Sequence, residues 1–302
     1  MEKKRKKRST KKKKRNKKNT TFKGLFERLI LFLKKYRKAI LIVAILLAFV
    51  IPFCIIRNAA NKYSYDGLNQ RKEFPISDYD EGCFYQDDFN LRNYKKGKIV
   101  GIPGIDVSKH QGEIDWKKVK NSGVKFAIVQ LGYSSCNDGR IYMDPYFEKN
   151  VDGAEAAGLK VGVYFFSQAI TTEEAVREAK FVIDNIKNRK ITMPVAFDME
   201  PVTGDDRINQ LSVTDKTKVA DAFLKVIKKA GYEPMIYGNG WWIDNNYDLG
   251  YLSDYGLWLA SYGQAANYRY KYKMWQYADW GRINGIENNV DLNVYFEEKG
   301  LF

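Results

Sequence analysis

From Ile99 to Tyr237 short apolar runs alternate with amphipathic stretches, and this alternation constrains the fold more than any other feature of the chain. The apolar runs Gly104–Val107, Lys125–Leu131, Lys160–Phe166, Met193–Met199 and Pro234–Tyr237 have the length of buried strands. Between them, Asp115–Asn121, Asp144–Ala157, Thr172–Asn188 and Thr214–Ala230 carry helical periodicity. Thr171 with Glu174 forms a capping-box signature, and Gly123, Gly158 and Gly231 stand where helix C-caps belong. Strands and helices in strict alternation predict parallel pairing through right-handed crossovers. After Tyr237 the helical pattern fades, and Leu257–Ala260, Lys273–Tyr277 and Val290–Leu292 read as three further strands joined by loops. Eight strands within residues 99–302 predict an α/β chain folded as a TIM-like barrel, at the short end for that architecture. A doubly wound open sheet is the alternative, but no glycine-rich phosphate loop follows any strand.

The charge lies elsewhere. Residues 1–38 hold 19 Lys and Arg against Glu2 and Glu27, a net +17, whereas the whole chain is +15, which leaves −2 for everything after residue 38. Ala39–Ile56 then runs for 18 residues without a charge, enough for a helix to cross a hydrocarbon core of about 30 Å. These features predict a basic cytoplasmic tail over 1–38 and a single transmembrane helix over 39–56. The cation excess on the N-terminal side places the N-terminus inside and the rest of the chain outside. Dense lysine also binds phosphate without specificity, but that reading rests on the tail alone and implies no specific nucleic acid. Residues 57–98 are polar, mixed in charge and dotted with tyrosine, and are expected to form a juxtamembrane stalk that packs in part on the barrel domain over 99–302. Cys83 and Cys136 fall on the outer side, where a disulfide is permitted, though spacing cannot decide whether they meet. No histidine or cysteine cluster has metal-ligand spacing, so neither a metal nor a cofactor is expected.

In a barrel of parallel strands the chemistry collects at the strand C-terminal ends. Asp106, Asp198, Glu200 and Asp291 fall there, with Tyr164, Phe166, Tyr237, Trp258, Tyr262 and Trp275 as aromatic company and Gln130 as a polar neighbour. Asp198 and Glu200 are two apart, and at about 3.3 Å per residue their carboxylates would stand about 6.6 Å apart on one face. Carboxylates ringed by aromatic platforms suit a polysaccharide cleft, because sugar C–H faces stack on rings while the acids work on the glycosidic oxygen.

The residues also carry a resemblance. Gly104-Ile105-Asp106-Val107-Ser108-Lys109-His110-Gln111-Gly112, Trp116, Phe126–Gln130, Gly162–Phe166, Asp198-Met199-Glu200, Trp258–Ala260, Trp275–Tyr277 and Val290–Asn293 together resemble glycoside hydrolase family 25, the lysozyme-like N-acetylmuramidases of Chalaropsis type. The resemblance implies a modified barrel of eight strands with about five helices. It also implies hydrolysis of the β-1,4 bond between N-acetylmuramic acid and N-acetylglucosamine in peptidoglycan. Carried over residue by residue, it makes Glu200 the proton donor, Asp198 its partner, and Asp106 and Asp291 supporting acids. Gln130 stands where the family pattern has a basic residue, Leu131 where it has a small one, and Phe165 where a histidine often appears. His110, the only histidine, is expected to be structural or near the substrate.

One acid must hold a proton while the other is ionised, since adjacent like charges raise one pKa. A spacing of about 6.6 Å lies above the retaining range of about 5–5.5 Å and merges with the lower edge of the inverting range at about 6.5 Å, so it leaves the stereochemical course open. The resemblance implies a further course, in which the substrate's 2-acetamido group attacks the anomeric carbon and Asp198 steadies it. Two functions are therefore expected to compete. One is a membrane-anchored peptidoglycan hydrolase acting in wall remodelling or lysis, with room for protein partners in a cell-envelope complex. The other is a catalytically silent wall-binding or scaffold protein on the same fold.

Overall fold

A computed structural model of the chain describes residues 33–36, 73–202 and 206–298. The expected membrane span at 39–56, most of the basic tail and residues 57–72 lie outside them. No helix among the described residues is long and apolar enough to cross a membrane.

Eight strands close into a barrel: β3 (Ile99–Val107), β4 (Phe126–Ser134), β6 (Lys160–Phe166), β7 (Ile191–Asp198), β8 (Pro234–Asn239), β9 (Gly256–Ala260), β10 (Met274–Gly281) and β11 (Val290–Glu298). The spatial order is β3-β11-β10-β9-β8-β7-β6-β4, and β4 pairs back onto β3 to close the ring. The steps from β3 through β4, β6, β7, β8 and β9 to β10 are all parallel. β11 is the exception to the parallel barrel expected from sequence, running antiparallel to both β10 and β3. An antiparallel step needs no crossover helix, which accounts in part for the fading of helices after Tyr237.

The helices are α1 (Trp116–Asn121), α2 (Phe147–Ala156), α3 (Thr172–Ile186), α4 (Val213–Lys229) and a short α5 (Gly240–Asn246) that the sequence reading did not anticipate. Thr171 caps α3 by accepting from Glu174 N–H at 3.2 Å. The return bond of the expected capping box goes one residue further back, from Ile170 N–H to the Glu174 carboxylate at 2.9 Å.

Strand alternation separates two apolar layers. Inside the barrel, Phe126, Ile128, Met193, Ala196, Met235, Trp258, Met274 and Tyr295 pack together. Gly104 makes room for this filling, because a Cβ there would sit 2.3 Å from the Phe126 ring. Outside, Val161, Val163 and Phe165 of β6, with Val195 and Phe197 of β7, face the helices. Phe165 lies beside Phe181 and Phe223, so its side chain belongs to the helix layer and not to the mouth.

Residues 73–98 pack against the outer face of β10, β11 and β3, although the sequence gives them no long periodic pattern. Two short strands there, β1 (Phe84–Gln86) and β2 (Arg92–Lys96), extend the sheet from β3. Tyr79 stacks on Phe296 at 4.1 Å, Tyr94 is fully buried, and Phe84 meets the Trp275 ring edge-on at 5.3 Å. The Arg92 guanidinium lies 4.6 Å from the Trp275 ring and 4.7 Å from that of Tyr277, and donates to Gly263 O at 2.9 Å. Cation–π contacts of this kind contribute about 0.5–2 kcal/mol each. Cys83 and Cys136 are both free thiols. A further short strand, β5 (Ile141–Met143), pairs with the end of β4.

Candidate active site

The inward positions nearest the C-terminal ends of the parallel strands form one small cavity of about 160 Å³. β3 supplies Asp106, β6 supplies Tyr164 and Phe166, and β7 ends at Asp198 with Glu200 two residues on. Tyr237, Trp258 and Tyr262 complete the wall from β8, β9 and the loop after β9, and Gln276 and Asp291 come from β10 and β11. All four acids expected from sequence line this space, as do five of the six aromatics.

Asp291 arrives by an unexpected route. It is the second residue of β11, and only because β11 runs antiparallel does it pair with Asp106 at the cavity. Trp275 is the aromatic that stays away. Its neighbours Met274 and Gln276 point into the barrel, so Trp275 points out to Phe84 and Arg92, with its indole N–H donating to Ser261 O at 2.7 Å. The side chain expected to touch substrate is thus a wall stud of the outer layer. Gln130 is half-buried and does not line the cavity, and His110 is exposed on a 3₁₀ turn after β3.

Two residues that sequence reasoning passed over organise the centre. Gln276 Nε2 donates to Asp106 Oδ2 at 2.9 Å, and Asn293 Nδ2 donates to the same oxygen at 2.7 Å. Gln276 Oε1 accepts from the Tyr237 hydroxyl at 2.9 Å and from that of Tyr262 at 3.2 Å. The Trp258 indole N–H donates to Asn293 Oδ1 at 2.8 Å. Asp106 is therefore the hub of a buried polar network with each amide held in one orientation. Both amides were findable, since Gln276 lies between the two quoted aromatics of β10 and Asn293 two residues after Asp291, on the inward parity.

The acids differ in surroundings. Burial raises the Asp106 carboxyl, while donation from Gln276, Asn293 and Asp291 works against it. Asp291 is pushed up to about 9, first by burial and then by the charge of Asp106 beside it. In this pair the proton sits on Asp291 and is shared toward Asp106. Asp198 is raised well above the usual carboxylate range by burial, with the charges of Glu200 and Asp106 adding to it. Its Oδ1 is buried and has no hydrogen-bond partner among the described residues. Glu200 is also raised by burial, opposed by a hydrogen bond with Tyr237. The cavity can therefore keep protonated carboxyls near neutral pH, and it presents one buried acceptor to whatever enters.

Stability should record the Asp291 proton. Its ordinary value is 3.8, so between there and about 9 the folded chain binds one proton more than the unfolded chain, and stability falls as pH rises through that window. Asp291→Asn keeps a donor for Asp106 but removes this linkage. Urea denaturation at about pH 5, 7 and 9 should show the variant gaining on the wild type as pH rises, by up to about 1.4 kcal/mol per unit. Parallel curves would refute the shared proton.

The chain matches Glycosyl hydrolases family 25 over residues 105–286 of its 302. It is 30% identical over 197 residues to the autolytic lysozyme of Clostridium acetobutylicum, covering 65% of this chain and 56% of that one. Among solved structures, the bacterial lysozyme from Streptomyces coelicolor superposes with a TM-score of 0.55 at 26% identity, covering 66% of this chain and 93% of that one. The modular autolysin LytC from Streptococcus pneumoniae, solved in complex with a synthetic peptidoglycan ligand, superposes with a TM-score of 0.58 at 25% identity, covering 70% of this chain and 52% of that one. The chain thus spans about half the length of the autolysin and of the clostridial lysozyme. With its closed barrel, its cluster of acids at one mouth and a family match across most of that barrel, the chain belongs to glycosyl hydrolases family 25 and is a lysozyme-type glycoside hydrolase.

Proposed function

We propose that this protein is a membrane-anchored muramidase that cleaves the β-1,4 bond between N-acetylmuramic acid and N-acetylglucosamine in peptidoglycan. The observation that carries the reading is the meeting of Asp198 and Glu200, both raised by burial, in a cavity walled by aromatic rings. The peptidoglycan ligand held by the pneumococcal autolysin supports the substrate class.

Glu200 is the general acid. Burial raises its carboxyl and so favours the protonated form, whose proton can be passed to the glycosidic oxygen as the bond to the anomeric carbon breaks. Asp198 steadies the positive charge that grows at that carbon. Burial raises both carboxyls, and the charge of Glu200 raises Asp198 further, which favours a proton on Asp198 until substrate enters. A 2-acetamido group on the substrate reverses that order. Its N–H gives the bare Oδ1 the donor it lacks, which favours ionised Asp198 and leaves the proton to Glu200. The oriented acetamido oxygen then attacks the anomeric carbon as the leaving oxygen takes the Glu200 proton, and water later opens the ring so formed. The Asp106–Asp291 pair and its amides hold the opposite wall.

The anchoring part of the proposal rests on sequence: 19 cations in residues 1–38 against 4 in residues 57–76, on either side of an uncharged stretch of 18 residues. Protease added to intact protoplasts should remove residues 73–298 and spare the basic tail. A protected barrel would sink the outward orientation. Should the same cavity bind wall without cutting it, the protein would be a scaffold. A zymogram of the detergent-solubilised full-length chain on peptidoglycan separates the two, with a cleared band expected.

A further inference from the structure

One buried carboxylate has no part in the reaction just described. Glu178 lies on α3, outside the barrel, and is 2% exposed. It accepts from the Ser134 hydroxyl on Oε1 at 2.6 Å and from the Ser167 hydroxyl on Oε2 at 2.6 Å. Each hydroxyl is also an acceptor, Ser134 Oγ from Gln168 N–H at 2.6 Å and Ser167 Oγ from Ala169 N–H at 3.2 Å. With the backbone donors on their oxygens, both serine protons are directed at Glu178. The turn they fix reaches both catalytic acids: Ser167 N–H donates to Asp198 O at 2.7 Å, and Gln168 Nε2 donates to Glu200 O at 2.8 Å.

We propose that Glu178 is a positioning residue for the hydrolysis: through Ser134, Ser167 and Gln168 it locks the turn after β6 that grips the main chain of Asp198 and Glu200. The proposal rests on the muramidase reading of those two acids. A carboxylate in this place is hard to explain as packing alone. Taking it out of water costs several kcal/mol, and no cation among the described residues forms an ion pair with it. The charges that act on it are Glu174, one turn earlier on the helix, and Arg207, whose Nη2 is committed to Glu174 at 2.9 Å and whose Nη1 donates to Gln168 O at 3.3 Å. An apolar side chain would fill the site without that cost but would release both hydroxyls and with them the turn. Burial pushes the Glu178 carboxyl up to about 7, eased by the two serine donors. Displacement of an acid by about 1 Å can lower turnover by about 10²-fold, so a network two residues removed from the acids has ample leverage.

The test compares Glu178→Leu, Glu178→Gln, Ser167→Ala and Gln168→Leu in the full-length chain, with kcat and KM on soluble peptidoglycan glycan strands and the folded fraction measured by circular dichroism. Glu178→Leu should lower kcat per folded molecule by about 10–100-fold with KM changed less than about twofold. Glu178→Gln, whose Oε1 still accepts one serine proton while its amide N–H donates to the oxygen of the other hydroxyl, should recover part of that loss. Adding Gln168→Leu to Glu178→Leu should cost little more, because both break the same connection. If Glu178→Leu does not fold, Ser167→Ala carries the same expectation, with a smaller drop in kcat at unchanged KM. Wild-type kcat per folded molecule in the Leu variant or in Ser167→Ala, a Gln variant as damaged as the Leu variant, or losses that multiply in the double variant would each overturn the proposal. In any of those cases an active wild type leaves the muramidase reading standing, whereas an inactive wild type removes that reading and this one with it.

Discussion

Glu200→Gln should lower turnover on peptidoglycan by about 10²–10⁴-fold, the range supplied by a general acid. The substitution keeps the shape of the side chain and its Tyr237 contact, so binding and fold should survive. What it removes is the proton. The leaving sugar oxygen would otherwise depart as a strongly basic alkoxide. A substrate whose leaving group is stable as an anion, such as an activated aryl glycoside, needs no such help. On that substrate Glu200→Gln should recover most of its rate in the bond-breaking step, and failure to recover would argue against the proton-donor role.

Asp198→Asn should be comparably severe, by about 10²–10³-fold or more, because it removes the negative charge that stabilises the cationic transition state. The difference lies in the rescue. A better leaving group does nothing for charge at the anomeric carbon, so the aryl glycoside should leave Asp198→Asn impaired. Stability should move the other way. A carboxyl raised in the folded state costs stability above its ordinary ionisation range, and an amide carries no such cost. Asp198→Asn should therefore gain on the wild type in urea denaturation as pH rises from about 4 to 7. Rescue of turnover on the aryl glycoside would contradict the assignment.

Much of this was legible in the chain. Apolar runs and C-cap glycines marked the strands and helices up to Tyr237, because each of those elements buries one face against the next layer and must repeat with its own period. The acids were legible because carboxylates at strand ends are conspicuous among apolar neighbours. Trp275 and Gln276 show where such reading runs out. A strand alternates faces, so one of two adjacent residues must leave the cavity, and choosing the aromatic chose the wrong one. Asp291 reached the mouth through a strand direction that a stretch as short as Val290–Leu292 does not encode. The covering role of residues 73–98 was hidden for a similar reason. Tyr79, Phe84 and Tyr94 act through contacts with residues about 200 positions away, and irregular backbone has no period to read. Glu178 looked like any polar residue on an amphipathic helix, since the two serines that hold it come from the ends of different strands.

The central claim is that Glu200 and Asp198 cut the glycan at muramic acid. Digesting purified peptidoglycan with the full-length chain, reducing the products with borohydride and identifying the reduced sugar by mass spectrometry tests it most directly. New reducing ends should be N-acetylmuramic acid, and they should vanish with Glu200→Gln. Reducing ends on N-acetylglucosamine, no new ends at all, or ends undiminished in the Glu200→Gln digest would contradict it.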